Sequence, residues 1–94
     1  MSVRPDDARR LGGLYETLRA PAVPAGGGAG AMAAWMARVE ADGALAGLIS
    51  RLLNGGDLLS TDVEAARALT ASAGTSAAPA QVAAAYELLL AHAA

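Results

Sequence analysis

The sequence predicts an all-α protein, a small bundle of four to five short helices with a Pro/Gly-rich tether after the first, and three observations carry that prediction. Apolar residues recur at helical spacing in several segments. No alternating strand pattern persists for more than a few residues, and β-branched residues are thinly scattered. Helix start and stop signals, prolines and glycines, divide the chain at intervals suited to short helices.

Pro5 suits a first helical turn, where its missing N–H is not needed, and Asp6 and Asp7 sit favourably at the positive end of the dipole. Ala8, Leu11, Leu14 or Tyr15, and Leu18 then mark a helix from about Pro5 to Arg19. Gly12 and Gly13 each cost about 1 kcal/mol relative to Ala, so they imply close packing, a kink or a conditional helix. Ala20 to Ala31, "APAVPAGGGAGA", reads as a tether, stiff in its first half and loose in its second. Its glycine run lacks the Lys-Ser/Thr and the preceding strand of a phosphate loop.

A second helix is expected over Ala31 to Ala41, with Met32, Trp35, Met36 and Val39 on one stripe and Arg38 and Glu40 turned away. That stripe reads first as core and second as a binding surface, because Trp and Met are enriched at interfaces. "ADGAL" is read as an interruption, and a third helix follows over Ala44 to Leu53 with Leu45, Leu48, Ile49 and Leu52 on one face. Gly43 and Gly47 would permit close helix approach, and Asn54-Gly55 supplies a helix stop. Thr61 with Glu64 fits a capping box opening a fourth helix to about Ser72, with Val63, Ala66, Leu69 and Ala73 on one face and Gly74 as its stop. The last helix begins near Pro79 and carries Val82, Tyr86, Leu89 and Leu90 on one side. Leu88 falls about 100° or more from their centre, so either this helix is covered on two sides or Leu88 meets a partner.

The domain reading is a single helical domain over residues 1–94, with an N-terminal helix in 1–19, the tether in 20–31 and a helical core in 32–94. At 94 residues there is room for one core and no large active-site cleft. Net charge is −2, every cation is Arg, and the arginines are scattered from Arg4 to Arg67 without the basic stripe of a nucleic-acid footprint. Lys-free, Ala- and Arg-rich usage is associated with high-GC bacterial genomes. With no cysteine there is neither disulfide nor Cys-ligated metal, and the amino terminus lacks the apolar region of a secretory signal. A cytoplasmic protein is expected, with no membrane partner.

Three motifs invite sharper functions. Gly55-Gly56-Asp57 matches the start of a GGDEF cyclase turn, but Leu58-Leu59 stands where Glu-Phe is needed, and such domains are far larger. "NGGDLLSTDVEAARAL" resembles the segment of peptidyl and acyl carrier domains that opens the second helix, and "SAAPAQVAAAYELL" resembles the last one; the resemblance implies a phosphopantetheine arm on a serine. Position 58 is Leu, and the candidate Ser60 lies two residues late, which rotates its hydroxyl around the helix. "VEAARALTASAGTSAAPAQVAAAYELL" has the shape of a helix-turn-helix pair, yet Ala68 to Ala94 contains no Arg or Lys to reach phosphates.

Catalysis is not expected. His92, the only imidazole, stands near the chain end without a metal set and reads as a helix C-terminal cation. Asp6/Asp7 and Asp62/Glu64 occupy first turns, where negative charge is ordinarily stabilising. By exclusion, the sequence points to a non-catalytic docking module, without cofactor or metal, whose interaction residues are Trp35, Met36 and Leu88 and whose partner is another protein or a second copy. A degenerate carrier-like domain, then a helix-turn-helix regulator, are the alternatives.

Overall fold

The computed structural model describes residues 3–94; residues 1 and 2, where the expected first segment begins, lie outside them. Four helices follow in order, α1 (Pro5–Leu18), α2 (Ala29–Leu53), α3 (Ser60–Ala73) and α4 (Pro79–His92), with no strand among the described residues. The all-α expectation holds.

The largest difference from the sequence reading is α2. The segments expected as two helices, Ala31 to Ala41 and Ala44 to Leu53, form one 25-residue helix that also takes in the end of the expected tether. Asp42-Gly43 does not break it, because the Asp42 carboxylate is engaged elsewhere. Its Oδ1 accepts the Ser76 N–H at 3.1 Å, from the α3–α4 connection, instead of competing for nearby backbone donors. At 1.5 Å per residue α2 is about 37 Å long, and it spans most of the 46 Å long axis of a body only 24 × 21 Å in cross-section. The radius of gyration, 13.4 Å, exceeds the roughly 12.4 Å of a compact chain of this length.

The core lies around the second half of α2. Leu45, Leu48, Ile49 and Leu52 meet Leu11, Leu14 and Leu18 of α1, Val63 and Ala66 of α3, and Val82, Ala85, Tyr86 and Leu89 of α4. α1 is thus part of the core. Gly12 and Gly13 have no atom near the position a Cβ would occupy, and neither do Gly43 and Gly47, so neither pair serves a close helix approach.

The C-terminus of α2 closes as Asn54-Gly55 suggested. Gly55, at φ +77, donates to Leu52 O, and Gly56 donates to Arg51 O, the paired bonds of a Schellman stop. Gly74 ends α3 at φ 81, ψ −178, a conformation open essentially to glycine alone.

The expected capping box is absent. α3 starts two residues earlier, at Ser60, with Leu59 rather than Thr61 at the N-cap and no side-chain cap bond, so Thr61 sits inside the first turn. Its leading N–H groups are served by backbone instead: Ser60 N–H donates to Ala94 O and Val63 N–H to Leu59 O, while Ala94 N–H donates to Leu58 O. The buried face of α3 is also turned from the expected one. Leu69 is exposed. Thr70 takes its place, its hydroxyl 2.6 Å from that of Tyr86.

Candidate docking surface

The two halves of α2 differ in cover. From Ala29 to Glu40 no residue is buried; from Ala41 to Leu52 the inward face is. At about 100° per residue, Trp35, Arg38 and Val39, the three half-buried residues of the first half, fall within about 100° on one side. Arg38 therefore does not turn away as expected; it borders a small cleft with Glu16, Thr17 and Pro21. Ala29, Met32, Ala33 and Met36 occupy the adjoining side and are exposed, Met32 at 43% and Met36 at 61%. The stripe expected as core is not core: it runs past the end of α1, and no other helix lies opposite it to bury it. Trp35 keeps its indole N–H buried without a hydrogen-bond partner.

A second open surface lies between α1 and α4. These helices flank a groove of about 920 Å³ whose apolar lining includes Leu11 and Leu14 from α1 and Ala85 and Leu88 from α4. Gly13, Ala84 and Ala91 keep the walls low, and Asp7, Arg9, Arg10 and Glu87 give them charge. Leu88 is half-buried: it packs against the core on one side and lines this open groove on the other. Of the three expected interaction residues, Met36 is freely presented, Trp35 is half-turned inward, and Leu88 lies in the groove rather than on the stripe.

No protein family, curated protein or solved structure matches this chain.

At the carrier-like segment, Leu58 is buried at 3% exposure and belongs to the core. The position after Gly-Gly-Asp thus points inward. Ser60 is exposed at the first residue of α3, its N–H tied to Ala94. Asp6 and Asp62, in first turns, and Glu64, just past the first turn of α3, make exposed ion pairs, Asp6 with Arg9 at 4.0 Å, Asp62 with Arg51 at 3.4 Å and Glu64 with Arg67 at 3.8 Å, each worth about 0–1 kcal/mol. Among the described residues no three of His, Cys, Asp and Glu gather as a metal site, and no helix is long and apolar enough to cross a membrane. His92 ends α4, half-buried.

Two polar residues inside the fold, Asp42 and Thr70, escaped the sequence reading. Asp42 is fully buried, with Oδ2 unpartnered. Tyr86 is pushed above its usual pKa chiefly by burial; the Thr70 hydroxyl, which can turn to serve a phenolate, pulls the other way, Asp42 adds to the rise and Arg67 subtracts from it. A Thr seven residues after Val63 on α3, and an Asp in phase with the apolar face of α2, were the available signals.

Proposed function

We propose that this chain is a non-catalytic docking module, bacterial and cytoplasmic, that binds protein rather than nucleic acid through the exposed apolar stripe of Ala29, Met32, Ala33 and Met36. The observation that supports it is the abrupt change of cover along one continuous helix: over a stretch of about 18 Å, bearing Arg38 and Glu40 as its only charges, one side is half-buried at Trp35, Arg38 and Val39 while the adjoining apolar side is left uncovered. Apolar surface gains about 25 cal/mol per Å² when removed from water, and unbranched Met adapts to irregular partner surfaces. The fitting partner is an apolar groove or helix face, met side-on. Absence of a basic stripe speaks against DNA or RNA.

The test is site-specific photo-crosslinking in the native host, with the crosslinker at position 36 and a control at position 64 on the exposed side of α3. A discrete product from position 36 and none from position 64 is expected. Absence of any discrete product at position 36 overturns the reading.

A further inference from the structure

We infer that the partner is a second copy of this chain, the exposed stripe of α2 in one copy lying in the α1–α4 groove of the other. The inference rests on the docking reading and names its occupant. Each copy holds both an exposed apolar stripe on the arm and an apolar groove between α1 and α4, and their dimensions agree. The arm, Ala29 to Glu40, is about 18 Å long; the groove walls, Asp7 to Thr17 on α1 and Ala80 to Ala91 on α4, are about 16 and 18 Å. The arm cannot reach the groove of its own chain, because α2 continues without a break into the core that carries α1 and α4.

Side chains and charges agree in one antiparallel register. Arg10, Leu14 and Thr17 stand at i, i+4 and i+7 on the α1 wall, and Glu40, Met36 and Ala33 stand at the same spacing, in reverse, on the arm. Opposed in that order, Met36 meets Leu14, Ala33 meets Thr17, and Glu40 meets Arg10. Neither Glu40 nor Arg10 has an ion-pair partner within the chain among the described residues. The low walls at Gly13 and Ala84 let a helix rich in alanine approach closely. A contact that joins two different surfaces of one chain closes only if it is reciprocal or forms a ring, so both arms of a pair are expected to be seated.

Complementation of two defective variants of the full chain tests this. Sedimentation velocity over a concentration series should show reversible self-association of the wild type. Met36→Glu, which spoils the arm, and Ala84→Glu, which spoils the groove at an exposed wall position, should each sediment as monomers with unchanged helical circular dichroism. Their equimolar mixture keeps one good arm and one good groove and should associate again. Arg10→Glu serves as a second groove variant should Ala84→Glu lose its helicity, and Arg10→Glu with Glu40→Arg in one chain should recover the association that either change alone loses. A wild type that stays monomeric, an Ala84→Glu chain that associates as the wild type does, or a folded mixture that remains monomeric overturns the inference. A monomeric wild type whose position 36 still crosslinks to a different protein sinks self-docking alone; absence of both products sinks the docking reading with it.

Discussion

Ala29 to Glu40 and Ala41 to Leu53 are halves of one helix with similar apolar content and opposite fates. The first presents Ala, Met and one Trp; the second presents Leu45, Leu48, Ile49 and Leu52 on a single ridge. A buried Leu or Ile is worth about 1.5–3 kcal/mol, whereas an alanine face removes little area from water, so α1, α3 and α4 gather on the leucine ridge. Apolar composition makes a helix possible; only large side chains in phase recruit neighbours. The first half is helical because it extends a helix already stabilised by the second, each added residue gaining a backbone bond without a new nucleus.

That contrast can be broken most directly by truncating one side chain from each half. Ile49→Ala should cost about 2–5 kcal/mol, read as a lower urea midpoint at unchanged slope. Met32→Ala should fall within about 0.5 kcal/mol for the monomer. Equal losses at the two positions would mean that the first half is packed after all.

Asp42, at the boundary, comes next. Asp42→Ala leaves the Ser76 N–H without its acceptor and should cost about 1–3 kcal/mol, with faster hydrogen exchange at Ser76 as the local signature. Unchanged exchange there would deny the link between α2 and the α3–α4 connection.

Tyr86 gives a pH-dependent measure of the covered half. Its pKa is raised on folding, so between the unfolded and folded values the native state holds the proton that the unfolded chain has lost. The contribution is complete below about pH 10, the unfolded value, and declines as pH rises through the folded one. Denaturation at stepped alkaline pH should show that decline in the wild type and not in Tyr86→Phe, which at neutral pH loses about 0.5–1.5 kcal/mol with its bond to Thr70. The smallest effect belongs to Thr61→Ala. A capping box would make it cost about 1 kcal/mol; without a cap bond it should stay within about 0.5 kcal/mol by thermal melting.

Much of the fold was legible because its signals are local. Pro5 and Pro79 open helices, Gly55 and Gly74 close them, and the ridge of α2 and most of that of α4 follow helical periodicity. What was not legible depended on distant partners. Asp42-Gly43 looks like a break until Ser76, 34 residues away, is known to engage the carboxylate. Leu69 looks buried until Thr70 is seen bonded to Tyr86. Periodicity likewise placed Met32, Trp35 and Met36 together; it carries no information on whether another helix passes opposite, and that decides core from surface. Leu88 announced itself by being out of phase, and the groove it lines required both α1 and α4 to be in place.

Asp42 also makes the packing of α2 unique rather than merely strong. A ridge of similar aliphatic knobs has near-equivalent alternatives: sliding α2 by one turn, about 5.4 Å, would offer leucines to much the same holes. It would also carry a buried carboxylate away from the Ser76 N–H and strand it among hydrocarbon, a cost of several kcal/mol. One polar side chain thus makes a single alignment of the long helix distinguishable from its neighbours, and by fixing how far the helix extends past α1 it sets the reach of the arm beyond the body.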